Sequence, residues 1–337
     1  MAENSNKQPT AEPGFDPLIQ SENIAYGREE LLPCGRCKRL NPPNRLDCIY
    51  CGDALAVPAE NLVRIKPNLR KLEAWERGFN LILLEQTSEI KTARAAELLS
   101  MEKDDLGKIL QAGKGLPLAR VETEREAEML RSSLEDIGLK YSVVADEDLA
   151  ADTPPVRICG LEFRGYQLGI KDFNTGEMLQ AGCDEVSLIV RGYISKTRVD
   201  SNEKKRRRAD AVKLIDEYAT VSDESVIDIY TFTDKNGFRI YPAGFDFSCL
   251  GGQKTLLARE NLGRLVNMLT EHSPKARVVS NYPLVRQALG HVWEIESRKD
   301  SLGLRQIAIG KREFGSVAST SNLMQFTKFS RLQWHLL

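Results

Sequence analysis

Nowhere does the sequence approach the roughly 18 consecutive apolar residues that a transmembrane helix needs. Its longest aliphatic run, Leu81-Ile82-Leu83-Leu84, is strand-sized. The opening residues, MAENSNKQPTAEPGF, lack a basic start followed by an apolar core, so no secretory signal is expected there. Neither sign of charge is in excess. A formal net charge of −1 gives the whole chain no bias toward nucleic acid or anionic membrane, which leaves such binding to local patches. Histidine is scarce, limited to His272, His291 and His335. Nucleotide-binding and hydrolase signatures are missing: no G-x-x-x-x-G-K-[ST], no G-x-G-x-x-G after a strand, no H-E-x-x-H and no G-x-S-x-G. No repeat of solenoid length is present. The seven cysteines are an odd number. Without a signal peptide, that argues against a disulfide framework and for a reducing, cytoplasmic location.

What is present is ordinary for a soluble globular chain: 42% hydrophobic and 28% charged residues over 337 positions, enough for one to three domains. Composition and periodicity divide it into a disordered N-terminal segment (1–30), a cysteine-rich module (31–55), a linker (56–72), an α/β domain (73–148), a short acidic linker ending in two prolines (149–155) and a larger α+β domain (156–337). The first segment is polar and cannot bury enough apolar surface to offset its ordering entropy.

Four of the seven cysteines fall within CGRCKRLNPPNRLDCIYCG, from Cys34 to Gly52. The spacing is C-x2-C-x10-C-x2-C: Cys34, Cys37, Cys48 and Cys51. Each C-x-x-C places two thiolates on one tight turn, and two such turns supply the tetrahedral sulfur shell that suits zinc. A closed four-thiolate shell leaves no position for water, so the expected role of one zinc ion here is structural. It would stabilise a module too small to bury a core of its own.

The full pattern, with Asn41 inside it, resembles the Ran-binding-protein-type zinc finger and bacterial zinc ribbons of similar length, over residues 32–53. The resemblance implies that Asn41 braces a knuckle. Some members of that finger family bind single-stranded RNA through arginines and a Trp two residues before the first Cys; here Arg45 matches one arginine position and Leu32 stands in the Trp position. Ubiquitin-binding members carry Thr-Phe where this chain has Lys38-Arg39, which argues against ubiquitin. Arg36, Lys38, Arg39, Asn41 and Arg45, with Tyr50 as a nearby aromatic, are the expected contacts to RNA or a protein partner.

From Phe79 onward the pattern reads strand (FNLILLEQ), short helix, second short helix with Ser100 as N-cap and Gly113 as its end, strand (LPLARV), helix and strand (KYSVVAD). The third helix opens with a capping box, Thr123-x-x-Glu126, and carries Ala127, Leu130, Leu134 and Ile137 as one apolar stripe. Through KTARAAELLSMEKDDLGKIL and TEREAEMLRSSLEDIGLKYSVV, residues 79–145 resemble the C-terminal domain of the ribosomal stalk protein. Only the fold is carried over, because the helix pair is more acidic than that family's factor-binding hairpin.

Beyond 156, EVSLIVRGYI (185–194) alternates as a half-buried strand, Asn236-Gly237 marks a hairpin between VIDIYTF and FRIYP, and Thr255–His272 reads as a long amphipathic helix with Leu257, Leu262, Leu265, Val266 and Leu269 inward. PLVRQALGHVW reads as a further short helix. A β-meander with two or more covering helices is expected. Segments such as YPAGFDFSCLG and TSNLMQFTKFSRL resemble a family of bacterial proteins with no assigned activity. The run Lys204, Lys205, Arg206, Arg207 and Arg208 either meets phosphates or an acidic partner, or is a solvated loop between a strand and a helix. Asp228 and Asp246 are lone carboxylates. Cys249 reads either as a buried small hydrophobe or as a nucleophile that His291 or His335 would have to reach.

The expected fold class is therefore multi-domain α+β. It comprises a small four-Cys zinc finger, a β-α-α-β-α-β domain and a larger C-terminal α+β domain. The expected function is that of a zinc-binding, non-enzymatic adaptor or binding protein meeting RNA or protein through the finger and the basic run, with no membrane and no small-molecule substrate identified. The alternative is an enzyme of unknown reaction with its site around Asp228, Asp246 and Cys249.

Overall fold

The computed structural model describes residues 26–58, 69, 71–73, 75–87, 90–205, 212–308 and 311–337. The chain is a mixed α+β protein in two compact units, Met1–Lys66 and Pro67–Leu337. Within the first, β1 (Leu32–Pro33) and β2 (Leu40–Asn41) pair antiparallel and carry the cysteine turns.

The second unit begins with β3 (Phe79–Gln86), α1 (Thr92–Leu98), α2 (Lys103–Ala112), β4 (Pro117–Val121), α3 (Glu124–Glu135) and β5 (Leu139–Ala145), with the three strands in the order β4-β3-β5. The Thr123 hydroxyl accepts from the Glu126 N–H and the Glu126 carboxylate accepts from the Thr123 N–H, so the capping box forms as expected. Ser100 does not cap α2. It sits at φ 50° in the turn before it, and Glu102 occupies the N-cap without a side-chain bond.

After α4 (Asp146–Leu149) come β6 (Val156–Arg164), β7 (Gln167–Asp172), β8 (Met178–Gly182), β9 (Val186–Lys205), β10 (Val212–Thr231), β11 (Phe238–Ile240), α5 (Ala258–His272), β12 (Arg277–Val279), α6 (Tyr282–Val285), β13 (Glu296–Ala308), β14 (Lys311–Ser321) and α7 (Leu323–His335). The strands form one sheet in the order β13-β14-β9-β10-β11-β6-β7-β8, with β12 also on β9. Two pairs, β11 with β6 and β12 with β9, are parallel.

Three expectations are corrected. The strand read over 185–194 continues to Lys205, and the segment after the basic run is the partner strand β10 rather than a helix. Cross-strand pairing along nearly the whole hairpin overrides the weak local preference of its polar half. Leu257, read as inward, is the exposed N-cap of α5. PLVRQALGHVW splits into α6 and a 3-10 turn at Ala288–His291.

Alternation along β9 and β10 separates two cores. Leu188, Val190, Val226 and Tyr230 face α7 and join a cluster that continues into Leu81, Ile82 and Leu83 of β3. Ile189, Ile227 and Ile229 face the other way, onto Leu262, Leu265 and Leu269 of α5. Residues 73–148 and 156–337 therefore share one core, and Leu149 and Ala151 between them are buried. Helix α7 is buried nearly all round, polar residues Gln325, Thr327, Ser330 and Arg331 included. It approaches β9 so closely that a Cβ on Gly192 would lie 2.1 Å from the Phe326 ring.

Burying polar groups on α7 requires partners, and Gln325 finds its partners in a chain of hydrogen bonds. Asn80 Nδ2 donates to Asp146 (3.0 Å), Trp293 Nε1 to Asn80 Oδ1 (2.8 Å) and Gln325 Nε2 to the Trp293 carbonyl (3.2 Å). The Tyr282 hydroxyl donates to Gln325 Oε1 (2.8 Å), Asn322 Nδ2 to that hydroxyl (2.9 Å), and the Ser195 N–H on β9 to Asn322 Oδ1 (2.6 Å). The chain runs from the three-stranded sheet to the large one.

Candidate metal centre

Cys34 and Cys37 open one turn, Cys48 and Cys51 the other, and the two turns are built alike. The Lys38 N–H donates to the Cys34 carbonyl (3.0 Å) and the Gly52 N–H to the Cys48 carbonyl (2.9 Å). The residue after each second cysteine is left-handed, Lys38 at φ 59° and Gly52 at φ 71°. This curls the turn so that backbone N–H groups point at sulfur: Cys37 N–H to Cys34 Sγ at 3.4 Å and Tyr50 N–H to Cys48 Sγ at 3.5 Å.

The four sulfurs lie within 4.8 Å of one another, with Cys34–Cys51 at 3.6 Å and Cys37–Cys48 at 3.5 Å, and all four cysteines are free. A tetrahedron with metal–sulfur bonds of ~2.3 Å has edges of ~3.8 Å, whereas a disulfide needs ~2.05 Å. The four cysteines are therefore close enough to hold a metal ion, and the donor set fits a soft cation. Without a cation such a cluster cannot ionise evenly. The Cys37 N–H lowers Cys34 against the effect of burial. Burial raises Cys48, but the N–H groups of Tyr50 and Cys51 bring it down to about 6. Cys51, although the Asp53 N–H favours its thiolate, is pushed up to about 12 by burial and the neighbouring sulfurs.

Asn41 is fully buried and its amide is spent inside the module: Nδ2 donates to the Arg39 carbonyl (2.9 Å) and Oδ1 accepts from the Ile49 N–H (3.0 Å). It ties one turn to the other and presents nothing to a partner, so of its two expected roles the geometry fits bracing rather than contact. Arg36, Lys38, Arg39 and Arg45 are exposed. The Arg39 guanidinium lies over the Tyr50 ring, 4.8 Å from its centre, and Tyr50 is 52% exposed. Leu55, just past the last cysteine, packs against Cys34 and Cys48 as the module's own core. It is one aliphatic among many in the sequence, and nothing in its spacing singled it out.

The other candidate residues do not converge. Lys204 and Lys205 end β9, while Arg206, Arg207 and Arg208 lie outside the described residues. Asp228 is bound to Arg239 by two bonds of 2.7 Å within the sheet. Asp246 caps the 3-10 turn that carries Cys249, accepting from the Ser248 N–H and hydroxyl. Burial and the Asp246 charge both raise the Cys249 thiol, opposite to what a nucleophile needs. Among the described residues no histidine bonds to it: His291 pairs with Asp105 at 2.9 Å, and His272 Nδ1 meets the Met268 carbonyl. No helix of the described residues is long and apolar enough to cross a membrane. Comparison with known proteins found no matching family model, no matching curated protein and no matching solved structure.

Proposed function

We propose that Cys34, Cys37, Cys48 and Cys51 hold one structural zinc ion, and that the finger is the recognition element of a non-enzymatic binding protein. Four thiolates around Zn²⁺ carry a formal charge of about −2 and leave no open coordination position, so the metal shapes a surface and does no chemistry. The observation that carries the reading is the exposed Arg39–Tyr50 stack among exposed Arg36, Lys38 and Arg45. Aromatic and guanidinium planes stack on unpaired bases, and the surrounding cations meet phosphates, which is the chemistry of single-stranded RNA. Lys204 to Arg208 would add a second phosphate contact. Exposed Leu40 and Ile49 favour a second reading, an apolar and acidic protein segment.

Anisotropy with a mixed-sequence single-stranded RNA separates these readings. For RNA, affinity falls linearly with salt on logarithmic axes, and each neutralised cation that touches a phosphate reduces the slope by about 0.7. Arg39→Ala and Tyr50→Ala each weaken binding. Salt-independent or absent binding sinks the RNA reading. Capture of a nuclease-resistant protein partner that is lost with Tyr50→Ala would then support the second.

A further inference from the structure

A cavity of about 790 Å³ opens on the α7 face of the large sheet, over β6, β11, β10 and β9. That is the size of small-ligand sites, roughly 300–1,000 Å³. We propose that it binds a short zwitterionic peptide, with the carboxylate at Arg157 and the amino group at Glu224 and Glu296.

The Arg157 end is built to receive a carboxylate. Arg157 on β6 and Arg239 on β11 are direct neighbours in a parallel pair, and Arg239 in turn faces Asp228 on β10. Asp228 is bidentate on Arg239, so of two adjacent guanidiniums only one has its counter-charge. Arg157 has no acid partner among the described residues. It is held instead by ring faces, Phe173 at 3.6 Å and Tyr241 at 5.3 Å, and by one N–H to the Ala243 carbonyl (2.9 Å). The stack is close because Gly244, at φ 83°, has no side chain; a Cβ there would come within 3.1 Å of the Phe173 ring. The guanidinium is thus pre-oriented with donors left over, the arrangement that suits a planar carboxylate.

The opposite end has the opposite sign. Glu224 lies four residues before Asp228 on β10, about 13 Å away along the strand. Lys196 lies on neighbouring β9, and Glu296 lies across Ser321 of β14 from it. All three line the cavity, and none is in an ion pair among the described residues. Two carboxylates against one ammonium leave one negative charge in excess. Asp152 and Asp172 also line the cavity, and Asp172 turns its carboxylate onto the Asn174 and Thr175 N–H groups. The lining as a whole is net acidic, which disfavours a phosphate or other polyanion. A ligand with one carboxylate and one ammonium matches both ends. Arg157 lies two strands across from Asp228, so its backbone is about 16 Å from that of Glu224; at ~3.3–3.6 Å per extended residue, about four residues span it together with the reach of the two side chains. Leu323, Met324 and Tyr241 supply apolar contact for the body of the chain.

Calorimetry on the full chain tests this with tetraalanine, its N-acetyl and C-amide forms, inorganic phosphate and spermidine. Tetraalanine is expected to bind one to one, and each blocked form at least ten-fold more weakly. Arg157→Gln removes the penalty for C-amidation, and Glu224→Gln reduces the penalty for N-acetylation, with the melting temperature checked for both. If Arg157→Gln fails to fold, the Glu224→Gln comparison stands alone. The proposal is overturned if tetraalanine does not bind, if a blocked form binds equally well, or if phosphate or spermidine binds more tightly.

Discussion

Asp228 and Arg239 face each other across β10 and β11 through two parallel hydrogen bonds of 2.7 Å, with side chains 0% and 3% exposed. Arg239 also donates to the Thr327 hydroxyl (3.2 Å) and lies over the Phe326 ring, so the pair joins the sheet to α7. Two charges buried this deeply hold only as a pair, because either alone would keep its desolvation cost without its partner. Asp228→Asn is expected to lower unfolding free energy by about 3–5 kcal/mol. The double replacement Asp228→Leu with Arg239→Met should cost less than Asp228→Asn alone. Urea titration of the three proteins checks this, and a double variant as unstable as the single one would contradict it.

Metal removal should act locally. Elemental analysis is expected to find one equivalent of zinc in the parent protein and none after Cys34→Ser with Cys37→Ser. Cobalt loaded into the parent protein should show tetrahedral thiolate bands that the variant lacks. Because Pro67–Leu337 is a compact unit with its own cores, its thermal transition should be the same in both.

Asn41 braces the two cysteine turns from one layer out. Asn41→Ala leaves the Ile49 N–H without its acceptor inside the finger, a loss of about 1–3 kcal/mol. Removal of such outer contacts typically costs 10–100-fold in metal affinity, measurable by competition with a chromophoric chelator. Asn41→Asp keeps the acceptor and should recover part of the loss.

Asp146 gives the fold an acid limit. Burial raises its pKa, but Lys328, Asn80 and Arg120 outweigh burial and hold it below the ordinary carboxylate range. The unfolded chain, at about 3.9, therefore takes up this proton at a higher pH than the folded one. Stability from this group is complete above the unfolded value and is lost as pH falls through the folded one. Asp146→Asn should lower stability at pH 7 and flatten its decline below about pH 4, read from urea midpoints across pH 3–7. An unchanged acid slope would exclude Asp146 as a contributor.

The features that were legible in the sequence are those made by neighbours in the chain. Two C-x-x-C turns bring their own thiolates together, Asn41 lies between them, and Thr123 finds Glu126 three residues on; each requires only local backbone geometry. What was not legible depends on partners far along the chain. Asp228 looked like a lone carboxylate because its cation, eleven residues on, meets it only after the hairpin closes. Gln325, Thr327 and Ser330 carry no local signal of burial, and their partners come from α6, β10 and β11. The Arg157–Arg239 contact exists only because two separate segments pair in parallel.

The hydrogen bonds around α7 also set how the chain can fold. Trp293 bonds a residue 213 positions away and Gln333 one 218 positions away. Closing a loop of that size costs about 1.2 kcal/mol more than closing one of ~50 residues, and that entropy is lost before any contact rewards it. Pairing of high contact order is slow. The β3–β5 layer and the large sheet can each acquire local structure early, but neither has its full core until α7 docks between them. Refolding of Pro67–Leu337 should therefore be limited by a late step that buries Trp293, with intrinsic tryptophan fluorescence lagging behind the return of backbone circular dichroism.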